Sequence, residues 1–139
     1  MSKEYTSLGL MSGTSGDGVD ASIIKSDGKS NYKVILDSYF KYGQEISNEI
    51  FQTKEKINTP KDLENFSKEI ELLEEKITLF HANSIKKIVE ENDIDLVGFH
   101  GQTIYHNSKE KISRQLGNGK LLSNLIKKNI IYNFRKRDL

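Results

Sequence analysis

The chain has 139 residues, with 21 basic and 20 acidic side chains, so its formal net charge at pH 7 is only +1. This balance does not indicate binding to nucleic acid or to an anionic membrane surface. Because the chain has no cysteine, disulfides, thiolate metal sites and a cysteine nucleophile are excluded. No apolar run approaches the roughly 20 residues of a membrane-spanning helix, and the N-terminus lacks a signal-peptide pattern. We therefore expect a soluble cytoplasmic protein.

Three strands are predicted first, over Tyr5–Met11, Val19–Lys25 and Tyr32–Tyr39. A turn signal, Ser26-Asp-Gly-Lys-Ser30, separates the second strand from the third. The connection between the first and second strands is rich in Gly, Ser, Thr and Asp. A helix is predicted next, over Glu45–Lys56.

A long helix is predicted over Lys61–Asn92, with Thr59 as its N-cap and Pro60 at its first position. Apolar residues recur at helical spacing along it, namely Leu63, Phe66, Ile70, Leu73, Ile77, Phe80 and Ile88. We expect this stripe to pack on a sheet, and a coiled coil is the alternative. His81 lies next to the stripe, and we interpret it as a structural or surface residue rather than a ligand.

Two more strands, Ile94–Phe99 and Ile130–Phe134, are predicted on either side of a helix at Gly119–Lys128. The predicted order is β-β-β-α-α-β-α-β. Three consecutive strands, followed by strands that helices connect, indicate an α/β fold with a mixed sheet that contains parallel members. We find no internal linker or repeat, so the whole chain is predicted to lie in one unit.

The turn between the first two strands has the composition of an anion-binding loop. Its glycines allow positive φ and a close approach of a ligand to the backbone, and successive amides in such a turn can hold an anion. Its hydroxyls add donors, and its carboxylates suit a magnesium ion, a water or a sugar hydroxyl. The residues concerned are Gly13, Thr14, Ser15, Gly16, Asp17, Gly18, Val19 and Asp20. An ordinary hairpin turn is the alternative.

Two known phosphate-binding motifs do not fit this turn. No Gly-Lys-Ser/Thr closes it, as a Walker A loop requires, and no helix follows it, as a dinucleotide fingerprint requires. The predicted strand–turn–strand arrangement is typical instead of the actin and sugar-kinase superfamily.

Polar residues also follow two later strands at their carboxyl ends, where open α/β sheets bind ligands. The two segments are His100-Gly-Gln-Thr103 and Phe134-Arg-Lys-Arg-Asp138, and their candidate binding residues are His100, Gln102, Arg135 and Asp138. The alternatives are a polar loop with a buried, satisfied histidine and a solvated basic tail.

Four stretches together, in order and spacing, resemble the anhydro-N-acetylmuramic acid kinases. They are Met11–Asp20, Asp95–Thr103, Gln115–Asn118 and Phe134–Asp138. Gly16 and Asn118 depart from the family pattern, which more often has a larger apolar residue and an aspartate at these positions. The resemblance implies a ribonuclease-H-like mixed sheet, as an incomplete lobe of the actin/sugar-kinase ATPase fold.

The resemblance also implies an activity: ATP-dependent hydrolysis and phosphorylation of 1,6-anhydro-N-acetylmuramic acid to N-acetylmuramic acid 6-phosphate, in cell-wall recycling. ATP with Mg²⁺ would bind at Gly13–Asp20, and the sugar would contact His100, Gln102, Arg135 and Asp138. Family members continue into a second lobe, and their general base lies in an Asp-Thr-Gly-Pro-like segment that these 139 residues lack. We therefore expect a partial N-terminal lobe that is inactive alone, and we assign no catalytic residue and no metal ligand.

Two other functions remain open at this point. The first is a non-enzymatic remnant or a self-associating interaction module, which would use the stripe of the long helix and the unpaired lobe surface. The second is a metal-dependent phosphatase or nuclease built on Asp17 and Asp20, which would need further carboxylates on later strands.

Overall fold

The computed structural model of the protein describes residues 4–132. In that part of the chain the elements are β1 (Tyr5–Met11), β2 (Gly18–Ser26), β3 (Tyr32–Lys41), α1 (Gln44–Lys56), α2 (Pro60–Asn65), α3 (Ser67–Glu91), β4 (Leu96–Phe99), β5 (Gln102–Asn107), β6 (Ile112–Leu116), α4 (Gly119–Ile126) and β7 (Ile130–Ile131).

Five of the strands form one mixed sheet in the order β3-β2-β1-β4-β7. β1 pairs antiparallel with β2, and β2 pairs antiparallel with β3. β4 lies parallel to both β1 and β7. The predicted α/β fold with three consecutive strands and parallel members is therefore confirmed, and it agrees with an incomplete lobe of the sugar-kinase and actin type.

The core lies between one face of this sheet and the helices. Alternate residues of the central strands are buried on that face, including Leu8 and Leu10 of β1 and Val97 and Phe99 of β4. The apolar stripe of α3 is buried as well, with Ile77 at 0% exposure. Side chains return to the same face every two residues along a strand and about every 3.6 residues along a helix. The strands and α3 therefore each present one apolar surface, and these two surfaces pack together.

The helix predicted over Lys61–Asn92 is divided into α2 and α3. Phe66 separates them, with φ −108° and ψ 22°, and its ring packs against the core. A capping box between Thr59 and Asp62 starts α2. The amides of Asn58 and Thr59 each donate to the Asp62 carboxylate over 3.0 Å, and these backbone hydrogen bonds lower the pKa of Asp62. Asn65, Phe66 and Ser67 are all weaker helix formers than Ala, Leu or Glu, so the break falls where helix propensity is low.

The hairpin of β5 and β6 was not predicted from the sequence. Its strands pair antiparallel as a separate two-stranded sheet. β5 carries polar and apolar residues without clear alternation, and the turn uses Lys111 at φ 55°, a conformation that lysine seldom adopts. The local sequence pattern therefore predicts a loop for this segment.

No helix in residues 4–132 is long and apolar enough to cross a membrane.

Candidate functional site

The loop that joins β1 to β2 is held by hydrogen bonds to its carbonyl groups. Gln102 donates from Nε2 to the Gly13 carbonyl over 2.8 Å. The Lys54 ammonium donates to the Thr14 carbonyl, and the Ser47 hydroxyl donates to the Gly16 carbonyl over 3.2 Å. These donors come from α1 and β5, so the rest of the fold determines the shape of the loop.

The amides of the same peptide units are open. In a trans peptide the N–H points away from the C=O of the same unit. The carbonyls of Gly13, Thr14 and Gly16 are bound, so the amides of Thr14, Ser15 and Asp17 point away from the groups that bind those carbonyls. Within residues 4–132 these three amides have no hydrogen-bond partner. Thr14 and Ser15 are exposed, so a ligand can approach both amides from solvent.

Of the three loop glycines, only Gly16 has positive φ, at 73°. A Cβ there would also lie 3.0 Å from Cγ2 of Ile50, so the larger apolar residue expected from the family pattern would be strained in this loop. A Cβ at Gly18 would lie 2.4 Å from the Phe40 carbonyl oxygen, whereas one at Gly13 would meet only the Ser15 hydroxyl at 3.8 Å. Gly16 is therefore required by the backbone conformation and Gly18 by the nearby Phe40 carbonyl, whereas the protein itself leaves room for a side chain at Gly13.

The two carboxylates near the loop are exposed. Asp17 belongs to the loop itself, and Asp20 lies on β2, in register with Met11 of β1 and Tyr39 of β3. In the part of the chain that the structure describes, no group of three or more His, Asp or Glu side chains is placed to hold a metal ion.

Behind the loop lies a closed ring of polar groups whose side chains are buried. The Tyr42 hydroxyl lies 3.1 Å from the Ser12 hydroxyl and 3.2 Å from Oε1 of Gln102. Gln102 in turn donates to Gly13, the neighbour of Ser12. Ser12, Gly13, Tyr42 and Gln102 are called the polar ring below. Burial raises the pKa of Tyr42 to about 12, so its hydroxyl keeps its proton at neutral pH.

A second feature, a groove of about 350 Å³, lies at the carboxyl end of β4. It is lined by residues from β4, β6, α3 and the start of α4, among them His100, Glu74, Arg114, Gln115, Asn118 and Lys120. Glu74 fixes one wall, because its Oε2 accepts from the Arg114 guanidinium and from the Gly117 amide, each over 3.0 Å. The groove therefore has a supported wall that carries charged and amide side chains.

Gly101 turns the chain between His100 and Gln102. Its φ is 81°, and a Cβ there would lie 2.6 Å from the Leu116 carbonyl oxygen. This turn sends His100 to the groove, with its Nδ1 3.1 Å from the Gly101 carbonyl oxygen. Gln102 goes instead to the polar ring, at 0% exposure.

The predicted site residues thus fall into separate places. Gly13–Asp20 form the loop and the first residues of β2, and Val19 is buried in the core. His100 reaches the groove and Gln102 lies behind the loop. Asn118 caps α4 by accepting from the Leu121 amide over 3.0 Å. Arg135 and Asp138, with the end of the strand predicted over Ile130–Phe134, lie outside the described residues.

Sequence reasoning missed several residues that shape the site. They are Tyr42 in the connection from β3 to α1, Ser47 and Lys54 of α1, and Glu74 of α3. Nothing in the local sequence marks them, because each contacts a segment 25 or more residues away.

Comparisons with known proteins agree with these motifs. The family model of anhydro-N-acetylmuramic acid kinase matches residues 5–139. An anhydro-N-acetylmuramic acid kinase of Pelagibacter ubique (strain HTCC1062) is 59% identical over 141 residues, which cover 100% of this chain and 38% of that protein. The kinase of the same name from Agrobacterium fabrum (strain C58) is 32% identical over 151 residues, with coverages of 100% and 39%.

A third relative, from Prochlorococcus marinus (strain NATL1A), is 34% identical over 139 residues, covering 95% of this chain and 35% of the relative. The chain therefore spans well under half the length of the curated relatives that it matches. The match over residues 5–139 includes the loop, the His100 segment and the groove. This chain belongs to the anhydro-N-acetylmuramic acid kinase family.

Proposed function

We propose that residues 1–139 form part of the N-terminal lobe of an ATP-dependent kinase, in which the β1–β2 loop binds the phosphates of ATP. The observation that carries this proposal is the arrangement of the loop, where bound carbonyls leave the amides of Thr14, Ser15 and Asp17 open. Successive open amides are a recurrent way to bind phosphate oxygens. Family membership supports ATP as the ligand.

We further propose 1,6-anhydro-N-acetylmuramic acid as the acceptor, in keeping with the names of the relatives. A water adds to the anomeric carbon, the bond from that carbon to the bridging O6 breaks, and O6 takes the γ-phosphoryl group while ADP leaves. Among the residues that the structure describes, His100 lines the groove and is the candidate for a sugar contact. Arg135 and Asp138 are proposed as further sugar contacts. The side-chain amide of Gln102 already makes hydrogen bonds to Tyr42, Gly13 and Thr103 behind the loop. Gln102 is therefore proposed to hold the loop rather than to contact the sugar.

Mg²⁺ is proposed as the companion of ATP. The exposed Asp17 carboxylate beside the open amides fits this role, because Mg²⁺ is usually held by one or two carboxylates together with substrate phosphates. When bound, the ion neutralises phosphate charge. No residue of this chain is assigned as the base that activates the water, and a cytoplasmic location is part of the same proposal.

The phosphate role predicts a selective effect of Gly13→Val. The added side chain meets little protein at Gly13, so it fills the space that a phosphate needs and leaves the fold intact. A hydrogen bond to a charged group contributes about 1.5–3 kcal/mol, so losing one amide contact weakens binding by about 10- to 100-fold. Titration calorimetry of the 139-residue chain with Mg²⁺–ATP and with tripolyphosphate measures this.

The matched control is Gly9→Val. Gly9 lies in β1, and a Cβ there would meet only the Ser22 carbonyl oxygen at 3.9 Å, so valine fits the strand and lies outside the loop. Affinity should stay within about twofold of wild type in this control. Equal affinities in wild type and Gly13→Val would refute the loop as the phosphate site. Gly18→Val would be a poor test, because its clash with the Phe40 carbonyl disturbs the sheet itself.

A second candidate function, a self-associating module, is favoured by one face of the sheet. The helix stripe named in the sequence analysis is buried in the core and is not available. The sheet face that points away from the helices, however, exposes Tyr5, Met11, Val34 and Tyr39 by 41–55%. Several large apolar side chains exposed on the same sheet face can mark a contact with another protein. We propose that copies of the 139-residue chain associate through this face.

Sedimentation velocity tests this second proposal. The wild-type chain should sediment as a dimer or larger species at micromolar concentration, and Val34→Lys should shift it to a monomer, because a lysine ammonium on this face would lose its hydration without a partner in the contact. The control is Leu72→Lys, because Leu72 lies on α3 and is 64% exposed. This variant should leave the distribution of sedimenting species unchanged. A monomeric wild-type chain would exclude self-association through this face.

A further inference from the structure

The polar ring offers an inference that rests on the proposed function. We infer that Tyr42 and Gln102 are positioning residues that hold the β1–β2 loop so that the Thr14 amide points at the phosphate of the bound nucleotide. Neither residue needs to touch the ligand for this role.

Tyr42 contacts both ends of the loop. Its backbone amide donates to the Asp17 carbonyl over 2.8 Å, and its hydroxyl lies 3.1 Å from the hydroxyl of Ser12. Tyr42 itself follows the last residue of β3 and precedes α1. One residue therefore bridges the first and last residues of the loop.

The proton directions in the polar ring follow from its members. Oε1 of Gln102 carries no hydrogen, so the Tyr42 hydroxyl must donate to it over 3.2 Å. The single hydroxyl proton of Tyr42 is then used, and the Ser12 hydroxyl donates to Tyr42. Gln102 completes the ring by donating from Nε2 to the Gly13 carbonyl. Turning the Gln102 amide over would place its oxygen against that carbonyl, which is repulsive, so the ring has one orientation.

Because the side chains of the ring are buried, changing the direction of its hydrogen bonds would be unfavourable in free energy. The three side chains of the ring are almost fully buried, with Ser12 and Tyr42 at 3% exposure and Gln102 at 0%. Water cannot readily replace a lost partner at such positions, and a buried polar group without a partner is strongly unfavourable. The Gly13 carbonyl is thereby held toward Gln102, and the amide of the same peptide unit, that of Thr14, points the opposite way.

The polar ring also joins two motifs that are far apart in the sequence, the β1–β2 loop and the His100–Thr103 segment. Gln102 belongs to the segment that carries His100 to the groove, and it is hydrogen-bonded to a loop 89 residues earlier. The position of the proposed phosphate site relative to the groove therefore depends on the ring. A change in the Tyr42 hydroxyl should alter phosphate binding without any direct contact.

The test is Tyr42→Phe in the full 139-residue chain. This variant keeps the aromatic ring, which packs edge-to-face against Phe80 with centroids 4.9 Å apart, and removes only the hydroxyl. The matched control is Tyr105→Phe, whose lost hydroxyl accepts from Asn107 within the β5–β6 hairpin over 3.3 Å. Both variants lose one tyrosine hydroxyl, which makes two hydrogen bonds in Tyr42 and one in Tyr105, and only Tyr42 lies in the polar ring.

Calorimetric titration with tripolyphosphate and Mg²⁺–ATP is the first measurement. We expect at least tenfold weaker binding for Tyr42→Phe and less than a twofold change for Tyr105→Phe. A merely structural role of Tyr42 would lower the melting temperature and leave the affinity of the folded protein unchanged. That result would overturn the inference while leaving the phosphate loop itself supported by wild-type binding.

Amide hydrogen exchange is the second measurement, and it needs no ligand. The Gly16 amide donates to the Gly13 carbonyl over 3.3 Å, so it reports on the loop directly. Its exchange should become at least tenfold faster in Tyr42→Phe, with no such change in Tyr105→Phe. If wild type bound neither anion, the proposed phosphate role would fail, and unchanged Gly16 exchange in Tyr42→Phe would separately overturn the positioning role.

Discussion

A polypeptide of residues 1–139 alone is expected to form no ADP above background when it is given ATP and 1,6-anhydro-N-acetylmuramic acid. The chain spans 38% of the length of its Pelagibacter ubique relative, and no residue of it is assigned as the base. Loss of a positioned general base costs about 10²–10⁴-fold in rate. Loss of substrate positioning in a half-formed cleft can cost a further ~7–11 kcal/mol. Turnover should therefore fall by at least four orders of magnitude.

A coupled assay of ADP release on mass-verified protein measures this. The full-length Pelagibacter ubique relative, assayed beside it, shows that substrate and coupling enzymes are competent. Omission of the sugar separates phosphorylation from slow ATP hydrolysis. Robust ADP formation that requires the sugar would show that the chemistry resides within residues 1–139, and Asp17 and Asp20 would then be the first carboxylates to replace.

The free energy of unfolding is expected to fall by about 3 kcal/mol between pH 7.5 and pH 4 because of His81. The imidazole is fully buried on α3. Its Nδ1 donates to the Ile77 carbonyl over 2.7 Å, and its Nε2 has no partner within residues 4–132. Burial lowers its pKa from 6.5 to about 4, against a smaller opposing effect of the Ile77 hydrogen bond.

The direction follows from which state binds the proton. Between pH 6.5 and pH 4 the unfolded chain protonates this histidine while the folded chain keeps it neutral. Stability from His81 is therefore complete above pH 6.5 and is lost as the pH falls toward 4. A loss of this size is a large share of the 5–15 kcal/mol that a typical domain has.

Urea unfolding at a series of pH values, in wild type and in two variants, tests this. His81→Leu should flatten the dependence between pH 6.5 and pH 4, whatever its effect on absolute stability. His106→Leu, at an exposed position in the β5–β6 hairpin, should leave the slope as in wild type. An equally steep fall in His81→Leu would assign the pH dependence to other groups.

Sequence patterns were sufficient to locate β1, β2 and β3 and the loop between the first two. Alternating apolar residues and a cluster of glycine and polar residues are local features, and they persist whatever the rest of the chain does. The same holds for the apolar stripe of α3. Resemblance to the family then named the loop as a phosphate site, and this assignment stays a prediction for the experiments above.

Other features depended on contacts between distant residues. The polar ring joins Tyr42 to Gln102, 60 residues away, and Glu74 holds a segment 40 or more residues away. Phe66, between α2 and α3, packs against the core, and β5 and β6 pair despite weak alternation. No local pattern encodes such partners.

The chain's sequence by itself determined the fold class, the place of the β1–β2 loop and the family, since these depend on local periodicity and on motif order. Only the tertiary structure decided which loop glycine needs positive φ, which amides stay open, and that His100 and Gln102 diverge to a groove and to the polar ring. The physical reason is that the direction of a peptide group depends on the donor that binds its carbonyl. In this loop those donors come from α1 and β5, which only folding brings together.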